Sequence, residues 1–113
     1  MPKTTACQLI CCTTTTASES DADLIAEKLL RFRLAACVQI DGPIKSHYRW
    51  NGEDHCDEEY RLTIKSDATV WPSLKAKLVE LHPFDEPQVT MFAIDDTTSG
   101  YQRWVIDQVQ QGE

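Results

Sequence analysis

Read as elements, the chain runs strand, helix, strand, strand, helix, strand and one more helix. That order predicts an α+β fold: a ferredoxin-like βαββαβ sandwich with a long hairpin between its second and third strands and an extra C-terminal helix. Three observations carry the prediction. Two segments, 22–32 and 71–81, repeat apolar residues at helical spacing. Asn51-Gly52 lies between two runs of alternating polarity, the pattern of a tight hairpin turn. Runs rich in apolar and β-branched residues precede the first helix and follow the second, as the first and last strands of that plan require.

The first strand is expected from Cys7 to Thr14, where residues are apolar, β-branched or small. Ser18 and Ser20 are then suitable N-caps, and Glu19, Asp21 and Asp23 place negative charge at the positive end of a helix dipole. Ala22, Ile25, Ala26, Leu29 and Phe32 make one apolar face of that helix, which should end near Arg33 or Leu34. The second strand begins near Ala36 and runs to Trp50, with a bulge or bend at Gly42-Pro43. Asn51-Gly52 suits the positive φ values of a type I′ turn, and after it Tyr60, Leu62 and Ile64 alternate with Glu59, Arg61, Thr63 and Lys65. A second helix starts between Asp67 and Pro72, buries Trp71, Leu74, Leu78 and Leu81, and stops at Pro83, because the residue before a proline is driven out of the α region. Residues 86–95 form the last strand and 99–110 the closing helix, which carries Tyr101, Trp104, Val105 and Val109.

The 113 residues suit one domain, 1–113, with no repeat or linker, and 42% hydrophobic with 26% charged residues is ordinary globular composition. A net charge of −7, from 11 basic and 18 acidic side chains, argues against nucleic acid and anionic membrane as partners, since both are bound through clustered Lys and Arg. No run of apolar residues reaches the length of a secretory core or a membrane span, which leaves the cytoplasm as the expected compartment. The five cysteines, Cys7, Cys11, Cys12, Cys37 and Cys56, are odd in number, scattered and without a C-x-x-C pair, and read as thiols. Cys11 and Cys12 are adjacent, so in a strand they point to opposite faces and cannot clasp one ion together.

Assembly is legible in the hairpin. A strand from Ala36 to Trp50 extends roughly 50 Å, beyond the size of a domain whose radius of gyration is near 13 Å. Its far end must project unless the strand folds back at Gly42-Pro43. That end carries Tyr48 and Trp50, with Tyr60 on the returning strand, aromatic area that an isolated hairpin cannot bury. Self-association is the expectation.

The blocks LAACVQI, GPIKSHYRWNG, EEYRLTIKS, LHPFDEP and GYQRW occur in order over nearly the whole chain, and with them the sequence resembles the CutA family of divalent-cation-tolerance proteins. The resemblance implies a homotrimer akin to the PII signalling proteins, in which long hairpins clasp neighbouring subunits; Tyr48, Trp50 and Tyr60 of the hairpin and Trp104 of the closing helix are the expected interface residues. It also implies involvement in copper or other divalent-ion tolerance, with no obligatory cofactor and no catalytic role. The family's proposed copper ligands are a cysteine ending the first strand and two consecutive histidines before Pro-Tyr. Cys12 matches the cysteine and His82 the second histidine, while Leu81 stands in place of the first and Phe84 in place of the tyrosine. Two such ligands hold copper or another divalent ion weakly, since a closed site needs three or four.

Other roles attach to the same residues. At a helix end His82 complements the dipole by about 0.3–1 kcal/mol and satisfies an orphan carbonyl, so a capping role needs no metal. His55-Cys56 in the acidic hairpin tip is a candidate for a second, adventitious metal site, and in a trimer His47, His55 or Cys56 could come from a neighbour, although each would otherwise be solvated. A PII-like trimer that senses a small ligand without physiological metal is the alternative function, with Lys65, Arg49 and Tyr48 as ligand-binding candidates. Cys12 or Cys37 with His82 and Asp85 or Glu86 could be arranged as a hydrolase set, but no nucleophile elbow accompanies them.

Overall fold

The structure is a computed structural model that describes residues 8–109. Four strands, β1 (Leu9–Thr16), β2 (Cys37–Trp50), β3 (Glu53–Asp67) and β4 (Thr90–Ala93), form one antiparallel sheet in the order β2-β3-β1-β4. Three α-helices, α1 (Glu19–Arg31), α2 (Trp71–Leu81) and α3 (Ser99–Gln108), complete the predicted order, with a single 3₁₀ turn at Ala68–Val70 leading into α2. Cys7, placed in the first strand above, and Gln110, placed in the closing helix, lie outside the described residues.

Local chemistry sets each boundary. The Ser18 hydroxyl accepts from the Asp21 amide and caps α1. The helix ends at Arg31, two or three residues earlier than its apolar spacing predicts, because Arg33 takes φ 58 and reverses the chain. The Leu34 amide then donates to the Leu29 carbonyl and the Arg33 amide to Leu30, the paired bonds of a Schellman motif. Glycine usually holds that left-handed position. Here the arginine also reaches a second helix, since its Nε and Nη2 donate to the carbonyls of Gln108 and Asp107 at 3.0 and 2.6 Å and satisfy the open C-terminal end of α3. Phe32 falls past the end of α1, so it leaves the apolar stripe it was assigned to and lies exposed, with the Lys77 ammonium 4.5 Å from its ring centre.

The core lies between the sheet and the α1–α2 layer. Ala22, Ile25 and Leu29 of α1 and Leu74 and Leu78 of α2 pack with Ile10, Cys12, Leu62 and Ile64, all essentially buried. Trp71 and Leu81 flank this cluster half-buried. The third helix lies against the other face of the sheet, where Tyr101 is close to Cys37 and Cys11, side chains that alternate away from the core; burial first, and then those sulfurs, raise its hydroxyl pKa.

Half of the hairpin leaves the body of the molecule. β3 pairs with β1 from Tyr60 to Asp67, whereas Glu53–Glu59 pair with β2 alone. The molecule measures 56 × 25 × 25 Å with a radius of gyration of 15.4 Å, above the roughly 13 Å of a compact chain this long. The bend at Gly42-Pro43 is real, a register shift between Asp41 and Ile44, but it kinks the arm without folding it back. Gly42 is required there: its φ is 153, and a Cβ would stand 2.9 Å from the Glu59 carbonyl oxygen and 2.8 Å from Tyr60 Cδ2. At the tip Asn51 and Gly52 adopt φ 53 and 79, the predicted I′ turn. The last strand is four residues long, not ten. Pairing with β1 begins only at Thr90.

Candidate functional site

The shortness of β4 explains His82. Leu9 faces its carbonyl toward β4, where it accepts from the Ile94 amide, so alternate residues Cys11, Thr13 and Thr15 present their backbone to the same edge. β4 pairs only as far as Thr13. The Thr15 carbonyl lies past the end of that ladder, and His82 Nε2 donates to it at 2.8 Å. The other ring nitrogen, Nδ1, accepts from the Phe84 amide at 3.2 Å, and the ring lies against Phe84 with centroids 4.9 Å apart. His82 is therefore the buried C-cap just past α2, as a capping role suggests, but its ring serves a strand carbonyl and a loop amide, not the helix.

Cys12 is fully buried between α1, α2 and the sheet, and burial pushes its thiol up to about 12, with the neighbouring Cys11 adding to the rise. Thr15 is three residues further along the strand, about 10 Å of rise. For the two residues to hold an ion, His82 must release the Phe84 amide, and Cys12 must lose a proton whose removal at neutral pH is roughly 7 kcal/mol uphill. The donor set thus fits a metal only weakly. Leu81 is half-buried against the core. Among the described residues no group of three or more His, Cys, Asp or Glu side chains is disposed to hold an ion. Nor is a hydrolase set assembled there: both nitrogens of His82 serve backbone groups, and Asp85 and Glu86 face solvent.

The ligand-binding candidates separate within one chain. Tyr48 and Arg49 are near the hairpin tip, where with His47, Asp54 and His55 they line an open concavity of about 340 Å³. Arg49 pairs with Asp54 at 2.9 Å; the Tyr48 hydroxyl donates to the Asp57 carboxylate, which raises its pKa, and its ring stacks on His55. Lys65 is opposite Cys37 at the foot of the hairpin and donates to Gln39 Oε1 at 3.3 Å. Arg49 is twelve residues along β2 from Cys37, roughly 40 Å of strand.

Tyr48, Trp50, Tyr101 and Trp104 are exposed, as are Phe32 and Phe92, with Trp50 49% and Trp104 44% accessible. Tyr60 departs from its assignment to the projecting arm. It sits at the foot, half-buried against the core beside Gly42. Cys56 and His47 were read separately in the sequence, yet the two-residue turn sets them opposite one another across the hairpin, Sγ to Nε2 3.6 Å. Counting back from Asn51-Gly52 would have found that pair. Arg33 carried no sequence signal of its role, since its partners are 74 and 75 residues away.

These features define a class: a ferredoxin-like domain with a projecting β-hairpin, exposed aromatic area and a buried histidine that closes the edge of its sheet. The profile of the CutA1 divalent ion tolerance protein family matches residues 10–108. The divalent-cation tolerance protein CutA of Thermus thermophilus is 37% identical over 91 residues, covering 80% of this chain and 88% of that protein. The crystal structure of the divalent ion tolerance protein CutA1 from Ehrlichia chaffeensis superposes with a TM-score of 0.89 at 26% identity, covering 95% of this chain and all of that one. CutA1 from Oryza sativa superposes at 0.90, also at 26% identity, over 93% and 96% of the two chains. The chain belongs to the CutA1 divalent ion tolerance family.

Proposed function

We propose that this chain acts in the cytoplasm as a homotrimer in tolerance and response to divalent metal ions, copper among them, holding the ion weakly and catalysing no reaction. Family membership supports the link to divalent ions. The observation that carries assembly is the arm of the hairpin from Ile44 to Glu59, which among the described residues pairs only with itself while presenting Tyr48 and Trp50 to solvent. Two strands with such exposed rings are marginal alone, and covering them against further copies removes the exposure. No described helix is long and apolar enough to cross a membrane, and the acidic charge disfavours nucleic acid.

Weak metal binding follows from the state of Cys12 and His82, each of which must give up a stable arrangement to ligate. The experiment pairs two readouts on the purified chain. Light scattering should give three times the 12.8 kDa chain mass, reduced in a Tyr48→Ala, Trp50→Ala double variant. Copper should raise the melting temperature, and Cys12→Ala and His82→Ala should each remove that rise. A monomeric mass at micromolar concentration refutes the assembly, and a copper response that survives both substitutions refutes the ligands.

A further inference from the structure

The hairpin carries a second donor pair, on the face opposite the aromatic one. Residues directly opposed across β2 and β3 share a face, so His47 and Cys56 lie together, flanked on the same side by Arg49 opposite Asp54 and by Lys45 opposite Glu58. Tyr48 and its partner His55 occupy the other face. Cys56 is the exposed cysteine among those described; Cys11 and Cys12 are buried and Cys37 half-buried. Its Sγ stands 3.6 Å from His47 Nε2.

That separation has a chemical meaning. A tetrahedral zinc ion with a thiolate at about 2.3 Å and an imidazole nitrogen at about 2.0–2.1 Å holds the two ligand atoms about 3.6 Å apart. The pair is already spaced to chelate, and a swing of the ring by roughly 35° turns the nitrogen from the sulfur toward the ion. Both side chains are rooted in a paired strand segment that the Asn51-Gly52 turn keeps in register. Sulfur with imidazole selects borderline and soft ions, zinc or copper(I), over magnesium or calcium.

We propose that His47 Nε2 and Cys56 Sγ form a two-ligand site for zinc or copper(I) on the projecting hairpin, with water completing the coordination. On binding, the ion replaces the Cys56 thiol proton, which passes to solvent, and no change of oxidation state is involved. The inference rests on the hairpin geometry and does not draw on the Cys12 and His82 reading.

Cobalt(II) is the probe, because a cobalt–thiolate bond has a charge-transfer absorption that oxygen and nitrogen ligands lack. Titration of the full chain under reducing conditions should bring up that band, zinc should displace it, and zinc should slow alkylation of Cys56 as read by mass spectrometry. Made in a Cys12→Ala background, so that the core thiol cannot contribute, Cys56→Ser should abolish the band. His47→Gln should weaken binding by roughly tenfold or more, since even outer-sphere losses have that effect. Both side chains lie on the face of the arm opposite Tyr48 and Trp50, so the variants should melt with the unmodified chain in the absence of metal. Absence of the band, its survival in Cys56→Ser, or unchanged affinity in His47→Gln overturns the site.

Discussion

Replacing His82 by alanine tests the account of how this sheet is closed. The substitution removes the Nε2 hydrogen bond to the Thr15 carbonyl and the bond from the Phe84 amide to Nδ1, and deletes a buried ring packed on Phe84. Each hydrogen bond contributes about 1 kcal/mol net, with a further penalty where a buried partner is left unsatisfied. The ring contact adds about 0.5–1.5 kcal/mol. The total is about 3 kcal/mol, equivalent to a fall in melting temperature of roughly 12 °C for a domain of this size. Circular dichroism at fixed chain concentration measures it, the concentration being held because assembly shifts apparent stability. His82→Asn, whose side-chain oxygen stands near the position of Nδ1, should recover about 1 kcal/mol by accepting from the Phe84 amide. Hydrogen exchange at the Phe84 amide should quicken in the alanine variant and less so in the asparagine variant. A melting temperature within about 2 °C of the unmodified chain, or an unchanged Phe84 exchange rate, would refute the reasoning.

Gly42→Ala places a methyl against the Glu59 carbonyl at an already unfavourable φ, and should lower the urea midpoint by the equivalent of about 2 kcal/mol; an unchanged midpoint means that the bulge relaxes freely. Cys12 makes stability depend on alkaline pH. Its folded pKa, about 12, lies above the ordinary 9.0, so the folded state holds the proton more tightly. The contribution is fully present below pH 9 and is lost as pH rises toward 12, by at most about 4 kcal/mol. Cys12→Ala, less stable at pH 7, should show a flatter decline between pH 9 and 11 than the parent chain. Parallel curves in denaturant titrations would show that burial does not hold this thiol neutral.

Much of the fold is legible locally. The apolar spacing of Ala22, Ile25 and Leu29 and of Leu74 and Leu78 marks two helices and the faces they bury, and Asn51-Gly52 marks both the turn and the register of the arms. The projecting length of the hairpin also follows from counting residues. Where the expectation ran too long, at Phe32 and in the final strand, the signal was periodicity and the decision belonged to single residues. Arg33 turns the chain in the left-handed region, and the Thr15 carbonyl, just past the ladder that begins at Thr90, is taken by the His82 ring.

The candidate site is less legible, because what decides it is not local. His82 beside Pro83 reads correctly as the end of a helix, but the carbonyl its ring serves is 67 residues away and is free only because β4 is short. Nothing near Arg33 in the chain announces that it caps α3. Lys65 and Arg49 read as one group in an alternating hairpin, and the extended backbone holds them far apart. By itself the sequence determined the elements, their order, the hairpin register and the acidic surface, since each depends on residues a few positions apart. Only the tertiary structure decided which donor atoms remain free: it engages both nitrogens of His82, buries the Cys12 thiol in the core, and leaves His47 and Cys56 facing each other at the surface. Hydrogen-bond partners and burial depend on which distant segments meet, and spacing along the chain does not encode that.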